Sequence, residues 1–100
     1  MLSSKTKRSA KPKYKNELLN EREEMHGDYG SLSVVSQRTK ELWRAHPGWH
    51  RLSECQRESL EMIAVKVSRI LNGDADFESH WCDISGYADL ISSWLNGRSS

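Results

Sequence analysis

An all-α fold is predicted for this 100-residue chain by three observations. Apolar residues recur at steps of three and four through its second half, and a serine and a glutamine three positions apart mark a helix start just ahead of them. Gly and Pro residues divide such segments from one another, and no alternating run reads as a strand.

The reading is of four helices, with an antiparallel hairpin of the third and fourth at the centre, covered by the first two. A first helix is predicted from about Lys15 to His26, where Leu18, Arg22 and Met25 share a face before the Gly27-Asp28-Tyr29-Gly30 turn. A second begins near Ser33 and carries Val35, Thr39 and Leu42 at helical spacing. It must end at Pro47-Gly48, because proline lacks the amide hydrogen and clashes with the preceding turn. Both helices are short and depend on tertiary packing.

The third helix opens at Ser53-x-x-Gln56, a capping box, and continues as an apolar stripe of Leu60, Ile63, Ala64, Val67 and Leu71 up to a C-cap at Asn72-Gly73. Asp76 is expected to cap the fourth. Phe77, Trp81, Ile84, Ala88, Ile91 and Leu95 form its stripe, and Asn96-Gly97 ends it. With 36% hydrophobic residues in so short a chain there is little spare core, so association into a homodimer is expected. No apolar run reaches the 18 or so residues of a membrane span, and Met1-Leu2-Ser3-Ser4-Lys5 lacks the apolar stretch of a secretory signal. A cytoplasmic protein with no membrane association is expected, and its two cysteines, Cys55 and Cys82, are read as thiols.

A net charge of +1 hides an asymmetry. The first sixteen residues hold Lys5, Lys7, Arg8, Lys11, Lys13 and Lys15 and no acid, which leaves the remainder at −5. Residues 1–14 are read as a disordered basic tail and residues 15–96 as a single domain. The tail is either a solubilising terminus or an arm making weak nucleic-acid contact, since each Lys or Arg near a polyanion releases counterions.

The polar residues beside the apolar stripes are the candidates for function. At about 100° per residue, Asp76, His80, Asp83 and Tyr87 make a second row on the fourth helix, next to the apolar one. Lys66 and Arg69 face it from the end of the third. Half-desolvated groups of this kind either hold an anion or a metal, or pair with one another across the hairpin. On the first helix Glu17, Glu21, Glu24 and Asp28 fall at steps of four, three and four, and oxygen donors so aligned suit Mg²⁺ unless they are simply solvated. His46, His50 and His80-x-Cys82 have the residue types of a zinc site, but Pro47-Gly48 interrupts the first pair. The chain has no glycine-rich phosphate loop, and Ser85-Gly86 lies within a helix, where no nucleophile elbow forms.

Three ordered motifs, His26-Gly27-Asp28-Tyr29, Glu61 with Lys66-x-x-Arg69-Ile70, and Trp81-x-Asp83-Ile84-x-Gly86-Tyr87-Ala88, resemble the signature of a small all-α family found mostly in phages and prophages. The resemblance covers about residues 17–95. More distantly the chain is similar to the MazG-like all-α nucleoside triphosphate pyrophosphohydrolases. That likeness implies two acidic pairs on packed helices holding Mg²⁺, with Glu58-x-x-Glu61 in place of one pair and His80-x-x-Asp83 in place of the other. Histidine at position 80 departs from the carboxylate of that group, and imidazole is a poorer Mg²⁺ ligand.

The resulting expectation is a protein that binds a nucleotide or related phosphorylated small molecule, with Mg-dependent pyrophosphohydrolysis as its reaction if it has one. Lys66 and Arg69 would engage phosphate; Asp83 and Glu61 would hold the metal; His26, Asp28, Tyr29, His80 and Tyr87 would line and orient the ligand. The alternative is a non-catalytic helical interaction module acting on a host or phage protein, whose polar cluster is an internal ion-pair lock. Deleting residues 1–14 is expected to leave Tm within a few degrees, the scale of about 1 kcal/mol in a domain of this size. Any weak nucleic-acid binding should fall with the deletion and with added salt. An unfolded truncation, seen by circular dichroism, would place the segment inside the fold.

Overall fold

The computed structural model describes residues 28–99, which form three α-helices and one short 3₁₀ helix, with no strand among the described residues. The helix predicted from Lys15 to His26 and the tail of residues 1–14 lie outside the described residues. The all-α class is therefore observed, with three α-helices described where four were expected.

Helix α1 spans Tyr29–Ala45 and starts four residues earlier than the sequence suggested. The cause is Asp28, whose extended backbone and carboxylate make it the N-cap. Its Oδ2 accepts from both the backbone N–H and the hydroxyl of Ser31, each at 3.1 Å. Gly30, read as part of a turn, belongs to the first turn of this helix. The helix ends before Pro47, as expected, and the chain enters a 3₁₀ helix over Pro47–Arg51. His46 Nδ1 caps it by accepting from the Gly48 amide at 2.9 Å, and a Cβ on Gly48 would sit only 3.1 Å from that nitrogen. At its far end the Leu52 N–H donates to the Trp49 carbonyl at 3.2 Å, and Arg57 donates to the carbonyls of Trp49 at 3.2 Å and His50 at 3.0 Å, adding side-chain donors at the helix end.

Helix α2 spans Glu54–Asn72 and opens with the predicted capping box. Ser53 Oγ accepts from the Gln56 amide at 3.1 Å, and Gln56 Oε1 accepts from the Ser53 amide at 2.9 Å. It closes at Gly73, whose N–H donates to the Arg69 carbonyl. Helix α3, Glu78–Ser99, begins two residues beyond Asp76. The turn before it is built by Asp74, whose Oδ1 accepts from the Asp76 amide at 2.9 Å, so Asp76 contributes its backbone to that turn and does not stand at the N-cap expected of it.

Helix α2 is the centre of the arrangement: α1 packs on one side of it and α3 on the other, while α1 and α3 scarcely touch. Both neighbours run antiparallel to it. Arg44, at the end of α1, reaches Glu61, while Tyr29, at its start, shares a cleft with Arg69; Asp83, early on α3, reaches Lys66, while Ile91 shares a groove with Ser59. Close approach is possible because several of the buried positions carry small side chains. The buried apolar residues are Leu32, Trp49 and Ala64, and the buried polar ones Ser36, Ser59, Ser68 and His80. Ser68 satisfies its hydroxyl by donating to the Ala64 carbonyl one turn back, at 2.7 Å.

The apolar stripes do not fall where expected. On α2, Ala64 is buried and Leu60 and Ile63 half-buried, but Val67 and Leu71 are exposed. On α3 the inward seam is Phe77, His80, Ile84, Tyr87 and Ile91, at steps of three and four, while Trp81, Ala88 and Leu95 are exposed. Phe77, Ile84 and Ile91 belong to both stripes. The choice between the two flanking rows is settled by Trp81, whose indole N–H donates to the Ala75 carbonyl at 2.8 Å and holds the ring over the connecting turn. His80 takes the inward place, its ring edge-on to Phe77 at 4.9 Å.

Replacing Ser53 with Ala is expected to cost about 1 kcal/mol through the lost cap, lowering Tm by about 4–8 °C. Ala64→Leu should cost about 1–3 kcal/mol by forcing α2 away from its neighbours. Thermal unfolding measures both; an unchanged Tm in Ala64→Leu would mean that the helices do not meet closely there.

Candidate functional site

The sequence-derived site residues separate into several places. Lys66 and Asp83 meet across the α2–α3 seam, where Lys66 Nζ donates to Asp83 Oδ2 at 2.8 Å. His80, three residues before Asp83, is buried at 1% exposure against Phe77. Tyr87 is two turns of α3 beyond His80 and lines an apolar groove with Leu60, Ile63 and Ile91. Glu61 faces the opposite neighbour: Arg44 Nε and Nη2 donate to its Oε2 at 3.0 and 2.9 Å. Asp28 is occupied as the N-cap of α1, and His26, Glu17, Glu21 and Glu24 lie outside the described residues.

The metal reading meets a difficulty in this arrangement. Glu61 and Asp83 point to different sides of α2 and each already has a cation, so among the described residues no group of three or more His, Cys, Asp or Glu side chains is assembled to hold a metal ion. The described donors do not fit Mg²⁺, which favours several oxygens around one point. His46 and His50 form no metal cluster either, and His46 Nδ1 is used in capping. Cys82 lies 3.7 Å from Glu78 Oε2, and that carboxylate raises the pKa of its thiol, which disfavours the reactive thiolate.

The electrostatics of the α2–α3 pair are those of a lock. The hydrogen bond from Lys66, followed by its charge, holds the Asp83 carboxyl below its ordinary pKa. The lysine side chain is mostly covered and the aspartate about half exposed, so solvent weakens the pair without removing it. Asp28 is likewise held low, first by the hydrogen bond from the Ser31 amide.

Tyr29 and Arg69 do come together. They line a cleft of about 180 Å³ between α1 and α2, along with Leu32, Ser33, Ser36, Gln37, Lys40 and Val65. Sequence reasoning named only these two of its polar groups. The signal for the others lay in Ser33, Ser36 and Lys40 repeating at steps of three and four on the face of α1 that carries Tyr29. Arg44 and Arg57 were missed as well, since nothing local marks a partner seventeen residues away or a carbonyl at the end of a 3₁₀ turn.

The other flank is apolar. A groove of about 310 Å³ runs between α2 and α3, and one of about 410 Å³, lined by Leu42, Trp43, His46, Gly48 and Trp49, adjoins it; Leu52 and Leu60 belong to both. Leu60 shares a helical row with Val67 and Leu71, and Ala88, opposite it, shares one with Trp81 and Leu95. These two exposed rows therefore extend the grooves along one face of the three-helix layer. No described helix is long and apolar enough to cross a membrane.

Searches for this chain among protein-family models, curated proteins and solved structures give no match, so the reading of the site rests on its geometry.

Because the Asp83 pKa is depressed in the folded state, the lock contributes fully above the ordinary aspartate value and is lost as pH falls through the folded one. An NMR titration of the Asp83 carboxyl carbon should give a midpoint below that of a solvated aspartate, and Lys66→Met should move it upward. Asp83→Asn and Lys66→Met should each destabilise, with the double variant losing less than the two combined. Additive losses would show that the pair has no coupling.

Proposed function

We propose that the protein is a non-catalytic helical interaction module that pairs with a second copy of itself through the apolar face of its three-helix layer. The observation that carries this reading is the continuity of the face. Leu42, 72% exposed, lines one of the grooves walled by Leu52 and Leu60, and Leu71 at 69% and Trp81 at 54% stand on the helical rows that continue from Leu60 and Ala88. Scattered exposed apolar residues are normal on a surface, whereas a contiguous set around a groove marks an interaction site. The small number of fully buried apolar side chains among the described residues supports the same reading, because a short chain gains most by completing its core against a partner. The ion pairs Arg44–Glu61 and Lys66–Asp83 then serve as locks that hold the layer in shape.

A second reading, binding of a nucleotide or related phosphorylated small molecule, is favoured by the meeting of Tyr29 and Arg69 in one cleft. Pyrophosphohydrolysis has less support, since the two carboxylates assigned to Mg²⁺ are engaged by separate cations.

At high micromolar concentration the protein is expected to have the solution mass of a dimer. Val67→Glu with Leu71→Glu, at positions already exposed, should return it to monomer without altering its far-UV circular dichroism. A wild-type protein that remains monomeric would remove the self-association reading.

A further inference from the structure

We propose that the cleft between α1 and α2 is a binding site for a phosphate monoester, with Lys40, Arg69 and Ser36 as its anion donors and Tyr29 at its mouth. This rests on the second reading above and deepens it by naming the phosphate monoester and its donors, on the flank of the layer that the apolar face leaves untouched.

The charge of the cleft comes first. Lys40 on α1 and Arg69 on α2 both line it, and no acidic side chain does. The described ion pairs, Arg44–Glu61 and Lys66–Asp83, are formed elsewhere, so neither cation is neutralised by a described carboxylate. Two positive groups converging on a narrow space repel one another, and an anion between them turns that repulsion into attraction. Arginine offers a planar fork that can grip two phosphate oxygens at once, and lysine adds a compact charge beside it.

Ser36 adds a hydroxyl donor to the lining. It is only 4% exposed and lines the cleft. Ser33 and Ser68 donate their hydroxyls to the carbonyls of Tyr29 and Ala64 one turn back, at 2.7 Å each, but Ser36 makes no such bond among the described residues. The Ser36 hydroxyl is not sealed off from solvent, and a phosphate oxygen entering the cleft would accept a hydrogen bond from it. Ser33 cannot do the same, since its proton is already directed to the Tyr29 carbonyl. Gln37 adds an amide donor from the same lining.

Size sets the ligand class. At about 180 Å³ the cleft is smaller than the roughly 300–1,000 Å³ that encloses a whole drug-sized ligand, so it takes the phosphate group and leaves the rest of the molecule outside. Tyr29, 75% exposed at the rim, presents a ring on which a base can stack.

The test uses the full chain, with amide NMR at low salt as the readout. Inorganic phosphate should shift the Ser33–Lys40 and Val65–Arg69 resonances saturably in the millimolar range. Lys40→Gln and Arg69→Gln should each weaken binding about tenfold or more, the scale of one charge-assisted hydrogen bond. Arg69→Lys should restore part of the loss, and Ser36→Ala should give a smaller decrease. Adenosine 5′-monophosphate should bind more tightly than ribose 5-phosphate, and Tyr29→Ala should abolish that difference while leaving inorganic phosphate binding intact; equal binding of the two would overturn the stacking role. Shifts that do not saturate, or that persist in the folded Lys40→Gln, Arg69→Gln double variant, would overturn the site. Binding retained in the Val67→Glu, Leu71→Glu protein would separate it from self-association, and loss there would overturn its placement on the opposite flank.

Discussion

Everything in the layer depends on how closely α2 can be approached. Among the described helices it is the one with a neighbour on both sides, and Ser59, Ala64 and Ser68, small side chains buried on it, allow that approach. Bulk at those positions would separate the backbones and leave gaps whose lining atoms lose their dispersion contacts. Apolar packing alone fixes distance better than register. The register is supplied by one ion pair per side, Arg44 with Glu61 toward α1 and Lys66 with Asp83 toward α3. Half-exposed pairs are weak as sources of stability, but as geometric pins they discriminate against a slipped alignment in which one charge would be stranded.

The same pins shape the chemistry available to the protein. An acidic pair used for metal catalysis must converge on one point, whereas Glu61 reaches from α2 toward α1 and Asp83 sits on α3, on the other side of a helix about 10–12 Å across. What remains open for binding lies in two places of contrasting character: an apolar face walled by Leu52, Leu60 and Ile91, and a cationic cleft containing Lys40 and Arg69. The central helix serves both, turning Leu60 toward one flank and Val65 and Arg69 toward the other.

Much of the local structure was legible in the sequence. Ser53-x-x-Gln56 and Pro47-Gly48 act through their immediate neighbours, and both boundaries fall where the residues put them. The antiparallel meeting of α2 and α3 was also readable from their short connection, and pairing across that hairpin was one of two readings of its polar row, which the structure forms between Lys66 and Asp83. The face of α3 was not. His80 and Tyr87 rank below Trp81 and Ala88 in apolarity, yet they point inward, because the indole N–H of Trp81 finds its acceptor in the turn at Ala75. Asp28 misled in a similar way: aligned with three glutamates by periodicity, it ends that row by capping the next helix. The candidate site was legible only in fragments, since the cleft needs Ser36 and Lys40 from one helix and Arg69 from another, and no single-helix pattern joins them.

The slight contact between α1 and α3 has a consequence for how the chain gains its shape. Every substantial interface among the described helices joins elements consecutive in the sequence, so the loops that must close are short and their entropy cost is modest. Such a topology has low contact order, the condition for rapid folding. Among the described helices, α3 is held by one substantial interface, that with α2, so the contacts that seat α1 do not depend on it. The seam with α2 is thus assembled from a single pair of sequence neighbours, and Lys66 with Asp83 sets its register without help from α1.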